Sequence, residues 1–160
     1  MFNPFYMLLL FFILLFIFFL SSIKFYGTEI ITSSSPIFHL ISQSNGGMLV
    51  INDQRLFASN NIYNSSNLWR YTTMRNNFIN LSTGTLFASG TSEGDEIFAN
   101  GTLSNGSSYT IIPNGENTII ISAFDRSDIA ITVMENGFCE FAPFTHTNPL
   151  PEQIFQLRYI

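Results

Sequence analysis

Gly90-Thr91-Ser92-Glu93-Gly94 matches G-x-S-x-G, the pattern in which a strand-to-helix turn lifts a serine hydroxyl above a parallel sheet. Here Asp95-Glu96-Ile97-Phe98 and then Asn100-Gly101 follow, a strand and a turn, so the segment reads as a polar hairpin loop. His39, within Ile37-Phe38-His39-Leu40-Ile41, and His146, in the Pro143–Pro151 connection, are the two imidazoles, too few and too far apart for a zinc site. Carboxylates gather at Glu93, Asp95 and Glu96 and again at Asp125 and Asp128. Paired acids serve glycoside hydrolysis and clustered oxygens serve calcium, but neither group has EF-hand spacing, and both read as solvated turns. With no triad, metal cluster or phosphate loop to assemble, the expectation is a non-enzymatic chain with no catalytic residue, no metal and no cofactor.

Three other groups of residues point to binding or modification. Trp69 with Tyr71, and Tyr63 nearby, could form a sugar-stacking platform; alternation on one strand face equally suits core packing. Cys139, the single cysteine, is either an intermolecular disulfide partner or a buried thiol between Phe138 and Phe141. N-glycosylation sequons stand at Asn64, Asn80, Asn100 and Asn105. The abundance of Asn, Ser and Thr gives about three such triplets by chance, so four mark no enrichment.

The elements that would position these residues are strands. After residue 22 no window places apolar residues at helical spacing over ten positions; short apolar runs are broken by turn residues every 8–12 positions. Strands are expected at Glu29–Thr32, Ile37–Ile41, Met48–Ile51, Arg55–Ser59, Leu68–Thr73, Phe78–Leu81, Thr85–Ser89, Glu96–Ala99, Ser108–Ile112, Thr118–Phe124, Asp128–Met134, Phe138–Ala142 and Gln153–Tyr159. Asn45-Gly46-Gly47, Asn100-Gly101, Asn105-Gly106, Pro113-Asn114-Gly115 and Asn136-Gly137 supply turns that need positive φ. Ile119-Ile120-Ile121 suits a strand buried on both faces, and Ile129, Ile131 and Val133 alternate on one face. Leu56-Phe57-Ala58-Ser59 recurs as Leu86-Phe87-Ala88-Ser89, 30 positions on, each copy closing a hairpin. The fold class is therefore all-β: a single domain of about a dozen short strands, a β-sandwich or a β-trefoil/barrel-like fold, preceded by an N-terminal hydrophobic helix.

That leader is Phe5 to Leu20, apolar without interruption; residues 1–22 carry no charge. An all-apolar helix of this length could not be wrapped by the 138 residues that follow, so it reads as a targeting segment. Two readings stay open: a signal peptide at 1–22, cleaved after Ser22, or an uncleaved signal anchor that touches membrane through residues 5–23. Both place a secreted or membrane-anchored all-β domain at 23–160. Six Lys and Arg, a net charge of −5 and 11% charged residues exclude a nucleic-acid binder built on a basic face. A lone cysteine excludes a disulfide scaffold.

Ser33-Ser34-Ser35-Pro36-Ile37-Phe38-His39-Leu40, then Asn45-Gly46-Gly47-Met48-Leu49-Val50-Ile51, resembles the opening of the β-rich domain of fungal cell-wall mannoproteins of the PIR type and related wall proteins. Asn77 to Ser89 is similar to a later hairpin of such domains, and together these cover about a third of the chain. The chain lacks the Gln-rich repeat, the Ser/Thr-rich stalk and the paired cysteines of that family, so covalent wall attachment does not carry over, and no catalytic residue does either. The resemblance implies a structural or surface component of a cell wall. The alternatives are a carbohydrate-binding, lectin-like module and a membrane-anchored extracellular domain, with cell-wall polysaccharide or other glycans as partners.

Overall fold

The computed structural model describes residues 35–60, 67–99 and 106–160. The expected leader, the strand at Glu29–Thr32, Tyr63 and three of the sequons (Asn64, Asn100 and Asn105) lie outside these residues. Twelve strands are described: β1 (Ile37–Ser42), β2 (Met48–Asn52), β3 (Arg55–Ser59), β4 (Trp69–Thr72), β5 (Asn77–Asn80), β6 (Gly84–Ala88), β7 (Ile97–Ala99), β8 (Tyr109–Pro113), β9 (Thr118–Ala123), β10 (Ile129–Val133), β11 (Cys139–Pro143) and β12 (Phe155–Tyr159). A 3-10 turn, Pro151–Gln153, precedes β12.

Six strands close a barrel. β1 pairs with β12 and β4, β4 with β5, β8 with β9, and β9 with β12, all antiparallel. The ring is completed where the Tyr109 N–H donates to the Asn76 carbonyl at the foot of β5 (2.6 Å). The other six strands form three hairpins, β2–β3, β6–β7 and β10–β11, which cap one end. Each hairpin hands a backbone hydrogen bond to the next. Ala58 N–H donates to Gly137 O, Ala99 N–H to Gln54 O, and Phe141 N–H to Asp95 O, at 2.8, 2.8 and 3.0 Å. This cyclic arrangement is a β-trefoil, so the sandwich alternative does not hold.

Register shows which residues repeat. Phe38 faces Trp69 and Ile119 faces Phe155 in the ladders, while the Phe78 and Tyr109 rings meet at 5.9 Å. Leu49, Leu86 and Ile131 lie opposite Ala58, Ala99 and Phe141, and Leu56, Ile97 and Cys139 occupy the matching inward position of β3, β7 and β11. All of these side chains are buried in one core. Each large apolar side chain withdrawn from water in this way stabilises the fold by about 1.5–3 kcal/mol. The threefold period is thus 40–42 residues through most of the chain. The 30-residue echo is real as two hairpins but out of step with this symmetry: its copies fall on the third strand of the first repeat and the second strand of the second. The in-register echo is Leu56-Phe57-Ala58 with Ile97-Phe98-Ala99.

Turn chemistry sets the hairpins. Asp53 and Gln54 hold φ of 48° and 68°, a two-residue turn whose twist matches the strands it joins. Gly137, at φ 85°, is required twice over, because a Cβ there would meet the Phe57 ring at 2.6 Å. In β9, Ile119, Ile120 and Ile121 are all buried, as the continuous run implies. β10 departs from plain alternation. Ile129, Ile131 and Val133 enter the main core, but Ala130 is buried too, in a second cluster with Ile120, Phe144 and Ile154 on the outside of the barrel.

Candidate functional site

The second cluster makes the third repeat unlike the others. It is a small apolar layer of Ile120, Ala130, Phe144 and Ile154, with Ile112 against it, and two loops adjoin it. One is the five-residue loop 124–128 between β9 and β10; the other is the 144–154 connection between β11 and β12. Phe144 N–H donates to the Asp128 carbonyl (2.8 Å) and ties them together. Gln153 fixes the longer loop from beneath. Its buried amide donates to Pro143 O (2.8 Å) and Thr132 Oγ1 (3.2 Å) and accepts from Leu150 N–H (3.2 Å). Each such bond, formed away from water, is expensive to leave unmade.

Charge on these loops is organised. Arg126 donates through Nε to Asp128 Oδ1 (2.7 Å) and through Nη2 to Asp128 Oδ2 (2.8 Å), a bidentate fork. Its Nη1 reaches across to Thr91 O in the β6–β7 loop (3.1 Å). The hydrogen bond from Arg126 holds the Asp128 carboxyl below the usual carboxylate range, and Asp128 in turn raises the guanidinium. Both groups remain open to solvent, with side-chain exposures of 41% for Arg126 and 65% for Asp128. Phe124 begins the same loop, the residue 53% exposed and its carbonyl accepting from Thr110 Oγ1 (3.3 Å). His146 packs edge-on against Phe144 at 4.8 Å between ring centres. The loops therefore combine an open aromatic face with an oriented, solvent-facing donor–acceptor pair. A concavity of about 330 Å³ lies elsewhere, between the β2–β3 and β5–β6 turns, lined by Ile51, Asp53, Gln54, Thr83 and Ala99. It brings one carboxylate and no aromatic ring.

The residues singled out from sequence fall elsewhere. Trp69 is fully buried, and its indole N–H donates to Leu49 O (2.8 Å). It is the core aromatic of the first repeat, with Tyr109 and Phe155 its counterparts, and presents no face to a sugar. Tyr71 is half-buried, its ring 5.0 Å from Phe78 and its hydroxyl donating to Asn76 Oδ1 (3.1 Å). The pair is thus structural and not a platform. Cys139 is 1% exposed at the position that Leu56 and Ile97 hold in the other repeats, and burial raises its thiol pKa. A second chain cannot reach its sulfur in the folded state. Asn80 is also 1% exposed, its Oδ1 accepting from the Ser82 and Thr83 N–H groups (3.0 and 3.1 Å) and from Thr83 Oγ1 (3.0 Å). That sequon sits inside the fold, where a glycan has no room.

Ser92 lies in the loop ahead of β7, its N–H donating to Asp95 Oδ2 (2.7 Å), and no helix follows it. His39 Nδ1, in β1, is 3.1 Å from Asn67 O and carries the proton in that contact. Among the described residues no three His, Cys, Asp or Glu side chains converge as metal ligands. Sequence reasoning noted Asp125 and Asp128 but missed Phe124, Arg126 and Phe144. The available signal was an aromatic ending an apolar strand directly before alternating charges.

No family model matches the chain, and no curated protein matches it in sequence. Its backbone is similar to that of ThreeFoil, a designed threefold-symmetric protein (TM-score 0.65, 13% identity, 78% of this chain and 99% of that one). It is similar to the ricin B-like lectin of Macrolepiota procera, solved in complex with lactose (TM-score 0.64, 12% identity, 78% and 96%). The Rhizoctonia solani agglutinin gives a TM-score of 0.63 at 12% identity over 79% and 94%. At this identity the likeness speaks for architecture, and it agrees with the barrel, the hairpin cap and the 40-residue period: the chain has the β-trefoil fold of these lectins.

Proposed function

We propose that this chain is a carbohydrate-binding domain that holds a sugar on the loops of its third repeat and acts by binding, not by catalysis. The observation that carries the reading is the exposed Phe124 ring on the same five-residue loop as the Arg126–Asp128 fork. A pyranose offers an apolar C–H face to an aromatic ring and neighbouring hydroxyls to a carboxylate and a guanidinium. The fold supports the reading, since the Macrolepiota procera lectin of the same architecture was solved with lactose.

A glycan array probed with the full chain, followed by calorimetric titration of the strongest hit, tests it. Binding to at least one glycan, weakened about tenfold by Phe124→Ala, is the expected result. A folded protein that binds no glycan overturns it.

The uninterrupted apolar run Phe5–Leu20 favours a setting outside the cytosol for such a domain: secreted, on a cell wall as a structural or surface component, or held to a membrane through residues 5–23. Wall polysaccharide is then the natural partner. Intact mass of the protein from its native host separates these settings. Loss of the first 22 residues supports secretion, and a full-length mass with resistance to carbonate extraction supports the anchor.

A further inference from the structure

Asn-Gly pairs are the sequences at which an asparagine side chain most readily loses ammonia, because glycine leaves the following backbone nitrogen unhindered. Three such pairs lie wholly within the described residues: Asn45-Gly46, Asn114-Gly115 and Asn136-Gly137. Exposure alone would pick Asn45 and Asn136, which are exposed, over the half-buried Asn114. Hydrogen bonding ranks them the other way. The reaction needs the glycine N–H to lose its proton and the carboxamide to turn onto that nitrogen. At Asn45, the Gly46 N–H is committed to Ser42 O (2.9 Å) and Asn45 Oδ1 accepts from Gly47 N–H (2.8 Å). At Asn136, the Gly137 N–H is committed to Met134 O (2.8 Å) and Asn136 Oδ1 accepts from Phe138 N–H (3.0 Å). In each case the nucleophile and the electrophile are both engaged in other hydrogen bonds.

The β8–β9 turn is built differently. Its bonds run through the Asn114 backbone: Asn114 N–H donates to Thr118 O (2.9 Å) and Asn114 O accepts from Thr118 Oγ1 (2.9 Å). Among the described residues neither the Asn114 carboxamide nor the Gly115 N–H has a hydrogen-bond partner. We propose that Asn114 is a spontaneous modification site, the position of these three at which the folded chain converts asparagine to aspartate and isoaspartate. The Gly115 nitrogen attacks Asn114 Cγ; a C–N bond forms, the Cγ–Nδ2 bond breaks, and Nδ2 leaves as ammonia with the displaced proton. Water then opens the resulting succinimide at either carbonyl, giving aspartate or isoaspartate. The isoaspartyl product carries the main chain through the side-chain carbons and so lengthens a turn between two barrel strands.

Full-length protein incubated folded at mildly alkaline pH, then digested and mapped by mass spectrometry, tests this. The Asn114 peptide should gain the amide-to-acid mass shift about tenfold or more faster than the Asn45 and Asn136 peptides, since those sites must first break two hydrogen bonds. In denaturant the three rates should converge. Asn114→Ser, shown to be folded by circular dichroism, should remove the mass shift from that peptide and leave the Asn45 and Asn136 rates unchanged. Equal rates at the three sites in the folded protein, or faster loss at Asn45 or Asn136, would overturn the proposal.

Discussion

The second and third repeats share an inner frame and differ in what surrounds it. Inside, Phe78 with Tyr109 and Ile119 with Phe155 fill matching barrel positions. Around it, the second repeat buries polar side chains: Asn77, Asn80 and Thr85 are each 1% exposed, and Thr72 Oγ1 donates to Asn77 Oδ1. The third repeat also buries Ser122, Thr132 and Gln153, but adds the apolar layer of Ile120, Ala130, Phe144 and Ile154 and carries Arg126 and Asp128 out in solvent. Polar groups spent on internal turns, such as the Asn80 amide, are unavailable to a ligand. Groups held over an apolar layer stay oriented and open. The threefold frame thus supports two uses of the same loop positions, one structural and one suited to recognition.

Substitutions can separate frame from surface. Phe155→Ala removes a fully buried barrel ring and should cost about 3–5 kcal/mol in a urea unfolding titration. The next largest effect compares the two repeats directly. Asn80→Ala and Gln153→Ala each remove the hydrogen bonds of a buried amide, and each should cost about 1–3 kcal/mol. Of the two, Gln153→Ala alone should also weaken glycan binding, because it frees the loop that carries His146. Equal binding losses from both variants would dissolve the distinction between the repeats.

Acid should break the surface pair last. The folded pKa of Asp128 lies below its ordinary value, so the fork to Arg126 is intact above the usual carboxylate range and is lost as pH falls through that lowered value. Glycan affinity should therefore stay level from neutral into mildly acidic solution and drop only in stronger acid. The smallest effect expected is that of Tyr109→Phe. Burial raises the Tyr109 pKa, and its hydroxyl, with the Ser107 side chain close by, makes no hydrogen bond of good geometry. Removing that hydroxyl should leave stability unchanged or raise it by about 1 kcal/mol, whereas Phe155→Tyr, which adds one at the matching position, should be destabilising.

Strands were legible because turn residues punctuate them: the described strands agree with the expected ones to within a residue or two at most ends, and β3 coincides. The symmetry was hidden for a physical reason. Leu56, Ile97 and Cys139 satisfy the same buried position, as do Trp69, Tyr109 and Phe155, because a core selects volume and apolarity rather than identity. The long 144–154 loop also stretches the last spacing from 40 to 46 residues, so no fixed period survives. The site was half legible. Alternation cannot tell which face of a strand meets solvent, so Trp69 and Tyr71 drew attention as the platform. Phe124 was read as the end of a strand. The Asp125 and Asp128 carboxylates were visible, but the guanidinium fork that organises Asp128 exists only once the loop is folded.

Chemical-shift mapping by nuclear magnetic resonance, with the full chain titrated by its strongest array glycan, tests the central claim most directly. The account predicts saturable shifts confined to residues 124–128 and the 144–148 segment, saturating at about tenfold higher ligand in Phe124→Ala. Saturable shifts centred on the cleft at Asp53 and Thr83, or on the first two repeats, would contradict it.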